Sequence, residues 1–415
     1  MKKRNKTKGI LMIPPQELPI PSVGGGAIET LITQLLEENE KHQKMRFVVI
    51  SVANSEAEKT DYGFSKVYYN ENGIIKIGFG KRIRLSFLGL RIYNKFKRII
   101  RKLGITIPTW NSEVIYPDFF YYQCAKICRK EKIDIVISEN DNNTQEYKIF
   151  HKLVGKENIY YHLHCVMDER IDVKNVIPNS ISISRFVRQQ WVNNREDGCR
   201  NIVLNNCIDI NKFNNSISAD NRNNYRAKYG IAENDTLVIY CGRLIPEKGI
   251  DILLEAIELL KDYPVKLLLI GSVGFSKKCS TEFSERVIAK AESMGSVIFL
   301  GYIPNDEMPF YYQISDIQVI PSVLQEGAGL VSIEGMAAGL PLIVTESGGM
   351  VEYVTDECAI KLPIDDELPV NIANNIKLLT KNHELCQKMG AAGKQRAKNF
   401  TKERYYQDFY REFGV

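Results

Sequence analysis

The sequence has no apolar run that approaches the roughly 18–20 residues a helix needs to cross a bilayer. The start of the chain is basic, and its first apolar run, Gly9–Ile13, stops at Pro14 and Pro15, too early for a signal peptide. We therefore expect a cytoplasmic protein that is not exported, at most peripheral on the inner face of the cell membrane.

Paired cysteines are also missing. The nine cysteines are odd in number and include no Cys-x-x-Cys spacing, so neither a disulfide framework nor a paired-cysteine zinc site is expected. An Asp-x-Asp pair is absent from the predicted strand ends. The closest sequence, Glu139-Asn-Asp141, begins with a glutamate, and we interpret it as a solvated loop. The sequence predicts no bound metal ion and no resident cofactor.

Nucleic-acid binding finds little support. The net charge of +5 is too small to imply it, and no recognised nucleic-acid module accompanies the basic residues. With 415 residues, of which 44% are hydrophobic, the chain exceeds what one core usually serves. We expect two packed domains.

Short apolar runs alternate with amphipathic segments in the second half, as in a parallel sheet covered by helices. The predicted strands there are Leu237–Gly242, Val265–Gly271, Ser296–Gly301, Ile317–Ser322 and Leu340–Thr345, and the clearest helices are Ile250–Leu260 and Leu330–Ala338. The first half repeats the theme with Ile10–Ile13, Arg46–Val52, Ile133–Ser138, Ile159–Leu163 and Ile181–Ser184. The fold class is α/β, with two Rossmann-like, doubly wound domains.

The asparagine-rich stretch Asn205–Asn224 reads as a linker and the loop that enters the second domain. We predict an N-terminal domain at residues 1–205 and a C-terminal domain at residues 206–395. The aromatic tail, residues 396–415, is predicted to end in a helix that packs back on the N-terminal domain.

Two cations follow the first strand of the second domain. Arg243 and Lys248 lie in the loop Gly242–Gly249, beyond the carboxyl end of the strand, where open α/β sheets bind their ligands. Arginine as a fork and lysine as a point charge can together neutralise a diphosphate.

A glycine-rich turn follows another strand. Gly327 and Gly329 permit close backbone approach, and the helix after them offers free N–H groups to phosphate oxygens. Glu334 falls one to two turns into this helix, where a carboxylate can accept hydrogen bonds from two ribose hydroxyls.

These motifs resemble the retaining GT-B glycosyltransferases of family four, also called group 1. The family signature is two glutamates separated by seven residues, as Glu326 and Glu334 are, after a loop like Gly242–Gly249. Similar motifs in the first domain are Gly24-Gly-Gly-Ala-Ile-Glu29, Tyr160-Tyr-His-Leu-His-Cys165 and Ser182-Ile-Ser-Arg-Phe186, and Asn206-Cys-Ile-Asp209 stands where the family has Asn-Gly-Ile-Asp. Departures are Cys207 for glycine, Asn205 for proline, Ala328 for an aromatic residue and Gly335 for alanine.

The resemblance implies that His164 lies near the reacting carbon of the sugar, while Glu326, Arg243 and Lys248 also serve catalysis. His162, two residues from His164, is interpreted as structural. The implied donor-binding residues are Gly25, Gly26, Gly242, Arg243, Lys248, Gly271, Tyr302, Ile303, Glu326, Gly327, Ala328, Gly329, Leu330, Val331 and Glu334.

The implied activity is metal-independent transfer of a sugar, with retention, from a nucleotide diphosphate donor such as a UDP-sugar. The acceptor is a glycan or a polyprenol-linked lipid in the synthesis of a cell-surface polysaccharide such as capsule. Two alternatives stay open: a GT-B phosphorylase or epimerase, and a non-catalytic GT-B partner subunit. A nicotinamide oxidoreductase is disfavoured because Gly24–Gly26 lacks the GxGxxG spacing.

Residues 81–102 contain no acidic residue. On a helix, Arg91, Lys95, Arg98 and Lys102 form one stripe beside a stripe of apolar residues. Such a helix suits either the surface of an anionic membrane or the side of an ordinary core with a solvated basic face. The first alternative makes an anionic membrane surface a partner and places the enzyme beside a lipid-linked acceptor.

Replacing Arg91, Lys95, Arg98 and Lys102 together by glutamine should weaken binding to anionic liposomes, because each basic residue near such a surface contributes about 1 kcal/mol. Cosedimentation with vesicles measures this. Unchanged binding of the fourfold variant would exclude the membrane role.

Overall fold

The structure is a computed structural model. It describes residues 7–71, 74–75, 112–141, 143–166, 173, 176–192, 199–213, 217–274 and 280–414. The predicted docking residues Arg91, Lys95, Arg98 and Lys102 lie outside the described residues.

The first sheet has eight strands in the order β4-β3-β2-β1-β5-β6-β7-β8. Its neighbours are parallel except β3 and β4, which are antiparallel. The strands are β1 (Gly9–Ile13), β2 (Arg46–Val52), β3 (Lys66–Glu71), β4 (Ile74–Ile75), β5 (Ile135–Glu139), β6 (Ile159–Leu163), β7 (Asn179–Ser182) and β8 (Asn201–Val203). Several of these strands are buried along their whole length, as expected of a parallel sheet covered on both faces.

The second sheet has six parallel strands in the order β11-β10-β9-β12-β13-β14. They are β9 (Thr236–Cys241), β10 (Val265–Ile270), β11 (Val297–Gly301), β12 (Ile317–Ile320), β13 (Leu342–Thr345) and β14 (Ala359–Leu362). The predicted α/β class with two doubly wound sheets is confirmed.

The helices of the described residues connect these strands. They are α1 (Ala27–His42), α2 (Ser112–Lys130), α3 (Lys148–Val154), α4 (Arg185–Val192), α5 (Ala219–Lys228), α6 (Ile250–Glu258), α7 (Glu282–Ser293), α8 (Met308–Ile314), α9 (Leu330–Ala338), α10 (Met350–Tyr353), α11 (Leu368–Lys381), α12 (His383–Ala397) and α13 (Lys402–Phe413). In this part of the chain, no helix has both the length and the hydropathy needed to span a membrane.

Each sheet has one switch point, where the strand order reverses direction. In the first sheet it lies between β1 and β5, and in the second between β9 and β12. Crevices outside the carboxyl ends of such strand pairs are where doubly wound sheets bind ligands. The topology therefore predicts a ligand site at the loops after these four strands.

Several boundaries differ from the predicted ones, and two of these differences have a local cause. The strand predicted at Ile181–Ser184 ends at Ser182, because Ser184 Oγ accepts a hydrogen bond from Val187 N at 3.2 Å and so caps α4. The stretch predicted as linker and loop is helical from Ala219, where Ser218 caps α5. The predicted domain limits stay a prediction.

The last helix, α13, lies against α1 in the first half of the chain. Tyr406 donates a hydrogen bond to Asn39 Oδ1 at 3.0 Å, and the rings of Phe409 and Phe47 meet edge to face at 5.6 Å. Just before this helix, Thr401 pairs with Ile208. Aromatic packing therefore ties the end of the chain to the core of the first sheet.

Replacing Phe409 by alanine should destabilise the protein by about 3–5 kcal/mol, because the ring is fully buried and its loss leaves a cavity. Urea unfolding followed by circular dichroism measures this. Gln407→Ala, an exposed position of the same helix, is the control and should change stability by no more than about 0.5 kcal/mol. Equal effects of the two variants would contradict this packing.

Candidate active site

The turn after β1 approaches the second half of the chain. Gly25 and Gly26 have φ angles of 87° and 95°, in a region of backbone conformation that residues other than glycine rarely adopt. A Cβ atom built on Gly25 would lie 3.8 Å from Nδ2 of Asn305, which follows β11. The glycine-rich turn thus lies near the carboxyl edge of the second sheet.

A lysine and a glutamate meet at the switch point of the second sheet. Lys248, in the loop after β9, forms an ion pair with Glu326, in the loop after β12. Ser322 Oγ donates a hydrogen bond to the same carboxylate oxygen at 2.6 Å. Two residues separated by 78 positions in sequence are therefore joined where the strand order predicts a ligand.

Arg243 lies in the same loop with an exposed side chain. Tyr240 Oη donates a hydrogen bond to the carbonyl oxygen of Arg243 at 3.1 Å. This contact fixes the loop to the end of β9. Gly242 lies so close to Gly271 that a Cβ atom on Gly271 would collide with its carbonyl. Tyr302 and Ile303 follow β11 at the same edge and are half-buried.

The loop that carries Glu326 is held by backbone contacts to the turn after β13. Gly349 N donates a hydrogen bond to the carbonyl of Glu326 at 2.6 Å, and the amide of Glu326 donates to Ser347 Oγ at 3.2 Å. Gly348 has a φ of 54°, and a Cβ atom there would collide with the backbone of Glu326. The pair of glycines at 348 and 349 is what permits this approach.

The same loop touches the first half of the chain. A Cβ atom on Gly327 would lie 3.3 Å from the carbonyl oxygen of His164 and 2.9 Å from Cδ1 of Ile183. Gly349 likewise lies against Ser184, with no room for a side chain. The backbone of His164 therefore lies against Gly327, the residue after Glu326, where the two halves of the chain meet.

A second junction lies beside this one. The carboxylate of Glu352 accepts hydrogen bonds from the amides of Arg185, at 2.9 Å, and Phe186, at 2.6 Å. The Glu352 carboxylate, from the second half of the chain, thereby accepts hydrogen bonds from N–H groups at the start of α4 that have no partner within that helix. Tyr353 adds two more contacts, donating to the carbonyl of Ile183 at 2.6 Å and accepting from the amide of Asn206 at 3.0 Å.

Helix α9 begins at the glycine-rich turn. Gly329 is its N-terminal cap, with Leu330 and Val331 in the first turn and Ala328 buried just before it. Five residues on from the cap, Tyr312 Oη donates a hydrogen bond to Glu334 Oε2 at 2.7 Å. Burial raises the pKa of Glu334 to about 7, and the hydrogen bond from Tyr312 opposes this rise.

The glycine at 335, a departure from the family pattern, has a local explanation. A Cβ atom there would collide with Oε1 of Gln318, which is fully buried in β12 and donates from Nε2 to the carbonyl of Val331 at 2.9 Å. Gln318 occupies the space that an alanine methyl would need.

Two histidines and a glutamate form a buried cluster on the first sheet. Glu139 Oε2 accepts a hydrogen bond from His164 Nε2 at 2.8 Å and lies 2.8 Å from His162 Nδ1. Glu139 and His162 are fully buried, and His164 nearly so. The interpretation of Glu139 as part of a solvated loop was wrong: it is the last residue of β5, and the histidines of the neighbouring strand's end offset the cost of burying its charge.

This cluster is the candidate for metal binding among the described residues, since its ligand atoms all lie within 4.8 Å of one another. Sequence reasoning missed that Glu139 belongs to this cluster. The signal that would have found Glu139 is its position at the end of the strand beside β1, at the switch point of the sheet.

Comparison with known proteins agrees with the motifs. A family model described as "Glycosyl transferases group 1" matches residues 221–396. A Salmonella typhimurium protein named lipopolysaccharide 1,2-N-acetylglucosaminetransferase is 25% identical over 382 residues, covering 89% of each chain. The putative glycosyltransferase YtcC of Bacillus subtilis is 34% identical over 172 residues, 40% of this chain and 42% of that protein.

Solved structures share the fold over nearly the whole chain. A glycosyltransferase from Rickettsia africae superposes with a TM-score of 0.73 at 18% identity, covering 98% of both chains. Anabaena HepE, solved in complex with UDP and glucose, superposes with a TM-score of 0.67 at 17% identity, covering 98% of this chain and 99% of HepE. The predicted family resemblance and the predicted fold are confirmed.

The raised pKa of Glu334 has a consequence for ligand binding. If this carboxylate accepts ribose hydroxyls, as the resemblance implies, its ionised form binds better, and that form is a minority at pH 6 and a majority at pH 8. Affinity for a nucleotide-sugar donor should therefore rise by up to about tenfold from pH 6 to pH 8. Calorimetric titration measures this.

Glu334→Gln is the matched control, since it keeps the shape and removes the titration. Its affinity should be lower than that of the ionised wild type and independent of pH. A pH dependence that survives in Glu334→Gln would assign the effect to another group.

Proposed function

We propose that this chain, a group 1 glycosyltransferase with the GT-B fold, is a retaining and metal-independent enzyme that uses a UDP-sugar. The acceptor that we propose is a glycan or a polyprenol-linked lipid, and the product a cell-surface polysaccharide. The donor binds between the turn Gly25–Gly26 and the loops that carry Lys248 and Glu326.

One observation carries this proposal: the Lys248–Glu326 pair lies at the switch point of the second sheet, beside His164 of the first. A cation at the carboxyl edge of a parallel sheet suits a diphosphate, and a carboxylate suits the hydroxyl groups of a sugar. Both chemical halves of a nucleotide sugar thus have a partner within one cleft.

The chemistry follows from charge. Breaking the bond between the anomeric carbon and the diphosphate places negative charge on the leaving group. We assign the stabilisation of that charge to the ammonium of Lys248, the guanidinium of Arg243 and the N-terminus of α9. These groups do the work that a divalent cation would otherwise do.

Retention follows from the same arrangement. The leaving phosphate takes the proton of the attacking hydroxyl on the face that it leaves, so the new bond forms on that face. The carboxylate of Glu326, held by Lys248 and Ser322, is placed to bind hydroxyls of the transferred sugar. His164 lies beside Gly327 and completes the sugar's surroundings.

The relatives support the donor and the setting. HepE was solved with UDP and glucose, and the Salmonella relative bears the name of a lipopolysaccharide N-acetylglucosaminetransferase. Action on a lipid-linked acceptor at the cytoplasmic face of the membrane is part of the proposal, and the basic segment at residues 81–102 supports it.

The test is a panel of UDP- and GDP-sugars in the presence of EDTA, read by thermal shift and by donor hydrolysis. A donor at about one hundred times its Kd should stabilise the wild type by about 2.7 kcal/mol. Lys248→Ala and Glu326→Ala should each lower hydrolysis by about 10²–10³-fold, the cost of removing one group that stabilises a transition state.

Lys266→Ala is the matched control, because this lysine lies on β10 with its ammonium on the carbonyl of Gly295, away from the cleft. It should hydrolyse the donor like the wild type. Absence of binding by every nucleotide sugar would overturn the proposal and favour a non-catalytic partner subunit.

A further inference from the structure

The buried cluster of Glu139, His162 and His164 has no assigned role beyond that of His164 itself. Its carboxylate lies at the switch point of the first sheet, in a strand with no exposed residue. A charge in such a place is costly unless specific partners compensate it. The partners are the two imidazole rings, whose centroids lie 4.0 Å apart.

The hydrogen bond to Glu139 determines which nitrogen of the His164 ring carries the proton. An ionised carboxylate only accepts, so the 2.8 Å contact between Glu139 Oε2 and His164 Nε2 requires a proton on Nε2. A neutral ring has one such proton, so its other nitrogen, Nδ1, is an acceptor.

The charge states agree with this assignment. Burial raises the pKa of Glu139, but the two histidines outweigh it and bring the pKa down to about 2. Burial, aided by His162, lowers the pKa of His164 to about 4. At neutral pH the cluster therefore holds an ionised carboxylate and a neutral His164 ring. Glu29 of α1 and Tyr405 of α13 are the other titratable groups near Glu139.

The distances favour a hydrogen-bonded cluster over a metal site. Zinc holds nitrogen and oxygen ligands at about 2.0–2.2 Å, which in a tetrahedron separates the ligand atoms by about 3.3–3.5 Å. Glu139 Oε2 lies 2.8 Å from a nitrogen of each histidine, which is hydrogen-bond distance.

We propose that Glu139 is the positioning residue of the active site: it holds His164 in the Nε2–H tautomer, so that Nδ1 accepts a hydrogen bond from a hydroxyl of the sugar. This inference rests on the proposed function, since it assigns His164, whose backbone carbonyl lies against Gly327, to the transferred sugar. Glu139 itself touches no substrate. It acts by fixing the ring's orientation and tautomer, as outer partners do for metal-bound histidines.

The first test reads the tautomer directly. In wild-type protein with ¹⁵N-labelled histidine, long-range ¹H–¹⁵N spectra should show His164 as the Nε2–H tautomer, unchanged between pH 6 and pH 8. His164→Asn identifies its signals among the five histidines. A proton on Nδ1, or a charged ring at pH 7, would overturn the inference. This readout needs no catalytic activity, so it stands even if the proposed transfer fails.

The second test separates positioning from folding. Glu139→Gln keeps the side chain's shape but can turn an amide N–H toward the ring, so kcat should fall about 10- to 100-fold while KM for the donor changes little. Glu139→Asp keeps the charge and should recover part of kcat. In Glu139→Gln the His164 spectrum should lose its single tautomer.

Glu131→Gln is the matched control: Glu131 is another buried carboxylate near the first sheet, bonded to Lys66 and Tyr68 and remote from the cleft. It should leave both kcat and the His164 spectrum unchanged. Full activity of Glu139→Gln in an enzyme that transfers sugar would contradict the inference, as would loss of wild-type activity in EDTA with recovery on adding zinc.

Discussion

The close contact between the backbones of Glu326–Gly327 and Gly348–Gly349 is the constraint on which the rest of the site depends. The turn after β13 packs against one side of the loop that carries Glu326. Residues of the first half of the chain also lie against this contact, with His164 next to Gly327 and Ser184 next to Gly349. Any side chain at Gly349 would separate these backbones. The contact thus sets both the position of the Glu326 carboxylate and the distance between the two sheets.

The topology supplies the remaining groups. In each sheet the strand order reverses once, and the loops at the two reversals carry Gly25, Lys248 and Glu326, while Glu139 ends the reversal strand β5. Each of these residues is local to a strand end, yet the site exists only because two separate sheets present their carboxyl edges to one another. The contacts of Glu352 and Tyr353 with the start of α4 hold the sheets together beside it.

Much of this arrangement was predictable from the sequence, and what was missed has physical causes. The central strands of the second sheet, such as β9, β10, β12 and β13, form continuous apolar runs in the sequence because both of their faces are buried. By contrast, β3, with the pattern Lys-Val-Tyr-Tyr-Asn-Glu, lies between β2 and the two-residue edge strand β4, is only partly buried and owes its extended form to pairing with these neighbours.

The prediction for Glu139 was wrong because its burial, too, depends on residues distant in sequence. Glu139 sits in a polar run, Ser-Glu-Asn-Asp, and only the histidines more than twenty residues later make its burial tolerable. A sequence motif predicted Lys248 and Glu326 as site residues. Their ion pair was not predicted, because it depends on tertiary structure.

A crystal structure with an intact UDP-sugar bound would test the proposed site most directly. We predict a diphosphate between the Gly25–Gly26 turn and Lys248, with the sugar beside Glu326 and Nδ1 of His164 at hydrogen-bond distance from one of its hydroxyls. A nucleotide bound elsewhere, with Lys248 still paired to Glu326 alone, would contradict it.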